Sequence, residues 1–339
     1  MHAPRVTRLV RFAALLVVWL LTLNACGLLK EERFIVYSVG SEGIRDIVVA
    51  RSDASDRRVI IAAEADDFAP KWSPDHTRIA FLSNRDGNVE LYIAPADGSS
   101  PMRVTNTGVT ESQPTWSPDG TRIAYVSPDF EGRPRVYWLR LADLLPNRLI
   151  FESSSEVDPA WSPEGTWIAF ASLNLAGRSE GLFLRNPDGV NRIQLSTAAD
   201  RDPVWSPDGS KLAFVSTRDG DEEIYVLRVG TEGPSGQAVR ITDNPTRDFS
   251  PQWSPDGKRV AFISDRNGNR DIFVVSDQGQ DLKALTRNEI EETGFVWGDD
   301  GKIVFESVPA GRAELFVTTQ DGVQNRLSVG DVAASQPDW

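Results

Sequence analysis

Trp205-Ser206-Pro207-Asp208-Gly209 reads as the end of a strand running into a tight turn, with proline presetting φ at the second turn position and glycine closing it. The same word recurs as Trp116-Ser117-Pro118-Asp119-Gly120 and Trp253-Ser254-Pro255-Asp256-Gly257. Single changes give Trp161-Ser162-Pro163-Glu164-Gly165 and Trp72-Ser73-Pro74-Asp75-His76. A decayed copy runs Trp297-Gly298-Asp299-Asp300-Gly301, and Trp339 is a truncated seventh. Successive tryptophans lie 44, 45, 44, 48, 44 and 42 residues apart. A period near 44 is that of one four-stranded propeller blade.

Within a repeat, Pro70-Lys71-Trp72 ends a first strand and Arg78–Ser83 forms a second. A hairpin signal follows at Asp86-Gly87, as at Asn267-Gly268, before a third strand at Leu91-Tyr92-Ile93 and a fourth at Met102–Thr105. At the start of the chain, Phe34–Ser38, Asp46–Val49 and Arg58–Ile61 read as second, third and fourth strands with no first. Gln336-Pro337-Asp338-Trp339 supplies it, so the two ends share a blade and close the ring. The expected fold is all-β: a seven-bladed β-propeller of four-stranded blades over residues 34–339. The repeat tryptophans, fixed on first strands, are expected to fill the core between blades.

The x-P-x-W-S-P-D-G run resembles the PD40 (WD40-like) repeat of TolB-type propellers, and of the propeller domains of prolyl oligopeptidase-type peptidases. The resemblance covers residues 34–339. TolB itself carries an additional N-terminal α/β domain, for which there is no room between Cys26 and Phe34, so a Tol–Pal role is not implied.

Arg5, Arg8 and Arg11 precede an apolar run from Phe12 to Leu23, too short to span a bilayer and suited to the core of a secretion signal. Leu23-Asn24-Ala25-Cys26 then resembles a bacterial lipobox. The expectation is a signal peptide over 1–25, lipidation at Cys26 and a short tether over 26–33. Cys26 is the only cysteine, and lipidation would remove the liability of a lone thiol in an oxidising compartment. Gly27 after the cysteine resembles lipoproteins sent to the outer membrane of a Gram-negative envelope. Removal of 1–25 takes away three arginines and no acid, leaving 33 basic and 49 acidic residues, a net −16. Such a surface does not gather nucleic acid, which needs clustered cations.

Catalytic chemistry is sparse. Beyond the leader there is one histidine, His76, which occupies the glycine place of a turn and is expected to take that turn's unusual φ. Zinc clusters, cysteine nucleophiles, a P-loop and a G-x-S-x-G elbow are missing. Sialidase Asp-boxes are not matched, and the histidines of propeller pectate lyases have no counterpart. The protein is expected not to be an enzyme and to need no cofactor. An alternative remains: binding of polysaccharide or cell-wall glycan, or glycan chemistry on paired carboxylates.

Chain direction places the second-to-third-strand hairpins and the links between blades on one face, the top. Five residues before the first six tryptophans stand Asp67, Glu111, Glu156, Asp200, Asp248 and Glu292, and only Ala334 breaks the series. Two readings stand for them: an acidic channel mouth drawing a divalent cation or a basic partner segment, or local pairing, with Arg85, Arg218 and Arg266 as partners. Two longer top hairpins on neighbouring blades carry Phe130 with Arg133, and Leu173 with Leu175, and two readings stand for them: a protein-docking patch, or apolar residues folded back onto the blade. The short tether would turn the opposite face toward the membrane. The expected function is a monomeric, membrane-anchored envelope lipoprotein that binds a protein or peptide on its top face.

Overall fold

The computed structural model describes residues 34–149, 154–189, 192–230, 233–319, 324–328 and 333–339. The expected signal peptide, Cys26 and the tether lie outside the described residues. Arg33–Trp339 forms one compact unit. It consists of seven antiparallel sheets, each built around four strands in meander order. Among the described residues there is no α-helix, only a short 3-10 turn at Pro309–Gly311.

Blade 2 is representative: Asp67–Trp72, Arg78–Ser83, Glu90–Pro95 and Met102–Arg103. Blades 3 to 7 begin with the first strands Ser112–Trp116, Ser155–Trp161, Asp200–Trp205, Asp248–Trp253 and Glu292–Trp297. Second and third strands such as Lys211–Ser216 and Glu223–Gly230 are buried on both faces, because each blade is sandwiched between two others. That is why they read as unbroken apolar runs rather than alternating ones.

The turn after each tryptophan is held by its own side chains. Ser206 Oγ donates to Asp208 at 2.6 Å and accepts the Lys211 N–H at 2.9 Å; Asp208 also accepts the Ser210 N–H. The Ser206 hydroxyl holds the Asp208 carboxyl down at about 2, and Ser73 does the same for Asp75. His76 takes φ 53°, beside 64° at Gly120 and 69° at Gly209, so it fills the left-handed turn position.

Each repeat tryptophan is mortar between blades. Trp205 packs with Ala169, Leu182 and Leu184 of blade 4 and with Leu212, Phe214 and Tyr225 of its own blade. Its indole N–H donates to the Ala160 carbonyl, one residue before the tryptophan of the preceding blade. Trp116 and Trp253 bond to Lys71 and Val204 in the same way.

The ring closes where expected. Ala334–Asp338 pairs with Ile35–Ser41, with Val36 opposite Asp338 and Val39 opposite Ala334. The Asp338 carboxylate then reaches blade 2, accepting the Trp72 N–H at 2.8 Å and the Lys71 ammonium at 3.0 Å. The decayed motif has a steric cause: a Cβ on Gly298 would stand 2.5 Å from the Trp339 ring, so the serine of the other repeats does not fit.

Replacing Trp205 by alanine is expected to cost about 3–5 kcal/mol in chemical denaturation, by emptying a buried inter-blade site; a loss below about 1 kcal/mol would show that the indole is not structural. Removing residues 334–339 should expose a sheet edge and yield an aggregating protein in size-exclusion chromatography.

Candidate functional site

Two features converge on the top face: the ring of acids at the head of the first strands, and the hairpins above them. All six acids, Asp67, Glu111, Glu156, Asp200, Asp248 and Glu292, are shielded from solvent, at 0–1% exposure. The register explains the shielding. Asp67, Asp200 and Asp248 lie opposite Ser83, Ser216 and Ser264, beneath the hairpins that follow those serines.

In blades 2, 5 and 6 the hairpin folds an arginine down onto its acid. Arg85 meets Asp67 at 2.8 Å, Arg218 meets Asp200 at 2.7 Å and Arg266 meets Asp248 at 2.7 Å. Each guanidinium also lies over the aromatic pair of its own blade: Arg218 sits 4.5 Å from the Tyr225 ring centroid and 5.5 Å from that of Phe214. These are local pairs inside a blade. Burial still pushes the Asp248 carboxyl up to about 6, against the pull of Ser264 and Arg266.

The hairpins of blades 3 and 4 are built on the same turn but are one and two residues longer, respectively. Gly132 N–H bonds to Asp129 O and Gly177 N–H to Asn174 O, as Gly87 does to Asn84 O and Gly220 to Thr217 O. The position filled by Arg85, Arg218 and Arg266 is therefore Phe130 in blade 3 and Leu175 in blade 4. Both point outward, Phe130 93% exposed and Leu175 71%. The loops beneath them are tightly held. Asp129 accepts the N–H groups of Glu131 and Arg133 and the Arg135 guanidinium, which outweigh its burial and hold it at about 2. Asn174 accepts the N–H groups of Ala176 and Arg178. Arg133 is bound to Asp129 and Glu131, and Leu173 is half-buried at the end of its strand.

Sequence reasoning missed the wall of the channel. Six of the seven first strands are bulged three residues before the tryptophan position, and Ala69, Gln113, Asp158, Asp202, Ser250 and Gln336 there take φ of 50–56°. The signal was the proline that follows each of them, since proline within a sheet is confined to edges and bulges. Their side chains step from blade to blade: Gln113 and Asp158 exchange two hydrogen bonds at 2.8 and 2.9 Å, and Gln336 accepts the Ala69 N–H at 2.9 Å. Gln113, Asp158 and Asp202 help to line a cavity of about 630 Å³ that also touches Lys71, His76 and Trp339. Burial and the adjoining Asp158 push Asp202 up to about 6, against Arg201. The Asp202 N–H bonds to the Asp158 carboxylate at 3.4 Å, which sets these two acids side by side. Among the described residues, no group of three or more His, Cys, Asp or Glu is placed to hold a metal ion.

Fold and repeat chemistry together define a TolB-type propeller. The PD40 family model, the TolB beta propeller domain, matches residues 30–201 and 180–339, and the chain belongs to that family. Its backbone is similar to that of TolB from Acinetobacter baumannii, with a TM-score of 0.58 and 18% identity over 90% of this chain and 82% of that one. A putative TolB from Agrobacterium tumefaciens is 24% identical over 68% of this chain and 84% of that one, with a TM-score of 0.56. Oligogalacturonate lyase from Vibrio parahaemolyticus is 14% identical, with a TM-score of 0.65 over 86% of this chain and 84% of that one. At these identities the likeness establishes the fold alone, which is common to a lyase and to TolB proteins. No curated protein sequence matches the chain.

Replacing Arg218 by alanine leaves Asp200 buried without its cation, and should cost about 3 kcal/mol in urea unfolding. Adding Asp200→Asn should recover most of that loss. Equal stability of the single and double variants would show that the pair is not the cause.

Proposed function

We propose that this protein is a monomeric, lipid-anchored propeller of the cell envelope that docks a protein partner on its top face through the hairpins of blades 3 and 4. One observation carries the reading: at the turn position where three blades fold an arginine inward, two neighbouring blades present Phe130 and Leu175 to solvent on loops locked from below. Rigid, exposed apolar anchors bind with little ordering cost, and large side chains of this kind dominate interface energies. Burial of the six acids favours the hairpins over the carboxylates as the contact surface. The family supports an envelope setting, and Leu23-Asn24-Ala25-Cys26 supports the anchor. Among the described residues, no helix is long and apolar enough to cross a membrane.

A photoreactive amino acid at position 175 should trap one envelope protein in cells. Phe130→Asp should reduce that product at least about tenfold, the loss of one hot-spot residue, while Val239→Asp, on a fourth strand, leaves it unchanged. A product indifferent to Phe130→Asp overturns the docking surface. Cys26→Ser should release the protein from the membrane fraction; a variant that stays there refutes lipid anchoring.

A further inference from the structure

The seven-fold repeat provides its own internal comparison for the ring acids. In blades 2, 5 and 6 the acid is neutralised by the hairpin arginine of its own blade. Blades 3, 4 and 7 lack that arginine, because the equivalent turn residues are Phe130, Leu175 and Ala310. Blade 4 is compensated from its neighbour. Arg135, opposite Ser127, takes the place that Glu90 holds opposite Ser83, and its guanidinium reaches Glu156 at 3.2 Å while fully buried.

Blades 3 and 7 have no such substitute. Among the described residues, no lysine or arginine pairs with Glu111 or Glu292. Glu111 receives the Thr107 hydroxyl at 2.7 Å and lies near Ser127, and Glu292 receives the Asn288 amide at 3.0 Å, beside Thr286. In each, the other carboxyl oxygen is buried and without a partner.

The surroundings make this worse for a charge. The groups facing Glu111 are Glu90 of blade 2, whose own charge is matched by Arg103 at 2.9 Å, and the Tyr125 ring of blade 3. Thr107 ties Glu90 and Glu111 together, donating its N–H to one and its hydroxyl to the other. Facing Glu292 is Asp271 of blade 6, which accepts from Asn267 and Thr286. An ionised carboxylate in either place would be a desolvated charge beside a second acid, with one oxygen unbonded.

We propose that Glu111 and Glu292 carry a proton in the folded protein near neutral pH, so that a proton closes the two blade junctions that no arginine neutralises, and the ring loosens when it is released. Burial first, then Asp271, pushes the Glu292 carboxyl up to about 7, and burial raises Glu111 as well. A carboxyl raised above its unfolded value near 4.3 contributes fully below that value. Its contribution is lost as pH rises through the folded value. The propeller is therefore more stable at pH 5 than at pH 8 on account of these two groups. One junction is in blade 3 itself: exchange of the hairpin arginine for Phe130 both exposes the phenylalanine and leaves Glu111 to a proton.

Urea unfolding of the full chain, Glu292→Gln and Glu111→Gln from pH 5 to pH 8 tests this. Glutamine cannot ionise, and the other raised carboxyls, Asp46, Glu156, Asp202 and Asp248, are common to all three proteins and cancel in the comparison. The folded-to-unfolded ratio of Glu292→Gln relative to the parent should rise about fiftyfold between pH 5 and pH 8, and that of Glu111→Gln should rise in the same sense. A pH-independent difference overturns the proposal. Should either variant fail to fold, infrared spectroscopy of the parent labelled with carbon-13 glutamate decides. A neutral carboxyl band at pH 6.5 that exceeds one residue per molecule is expected, since Glu156 accounts for at most one; no band, or one residue's worth, refutes the assignment.

Discussion

The hydrogen-bonded tryptophan between blades is the contact on which the rest of the molecule depends. A four-stranded blade with two apolar faces cannot stand alone in water, and each face must find another blade. The indole of Trp205 does this twice over, filling the gap between blades 4 and 5 and tying its N–H to the Ala160 carbonyl of the first strand before it. Trp116 and Trp253 are tied to the preceding first strand in the same way, and the other repeat tryptophans fill the same inter-blade gap, so that the ring can return to its start. Closure then requires one strand from the far end of the chain, and the Asp338 carboxylate fixes it by bonding the first tryptophan of the series.

The ring also stacks the same strand positions around the channel, and this makes charge a recurring problem at each junction. An acid at the head of every internal first strand is buried by the hairpin above it, so each needs a counter-charge or a proton. Three hairpins meet the need with arginine, and Arg135 meets a fourth from the neighbouring blade. The turn residue that neutralises the acid is also the one that decides what the hairpin shows to solvent. Where it is Arg218, the side chain folds onto Phe214, Tyr225 and Asp200; where it is Phe130, the uncharged ring cannot pair with the Glu111 carboxyl of its blade and it stands outside. Surface and interior are therefore coupled at a single position of the repeat.

Membership of the TolB propeller family fits the repeat chemistry over almost all the described chain. The channel residues differ from blade to blade. Gln113, Asp158, Asp202 and Gln336 occupy a bulge position that Ala69 leaves without a functional group. The scaffold is shared, and its fittings vary from blade to blade.

The repeat period, the strand order, the turn chemistry and the shared closing blade were all legible in the sequence, because each follows from local rules: proline and glycine in a turn, apolar runs of strand length, and a tryptophan at a constant interval. The six acids were legible too, by counting back from the tryptophans, and so were the arginines that pair with three of them. Their environment was not. Whether an acid at the head of a first strand opens into a channel or lies beneath a hairpin depends on the twist of the blade and on the neighbour packed against it, and neither is written in a single repeat. The same holds for Phe130, whose 93% exposure depends on one extra residue in its hairpin, and for Glu111, whose lack of a cation is apparent only once Glu90 and Thr107 are brought beside it. Sequence determined what each blade is made of; the ring decided which groups meet across the junctions, because those contacts join residues from different blades that only its closure brings together.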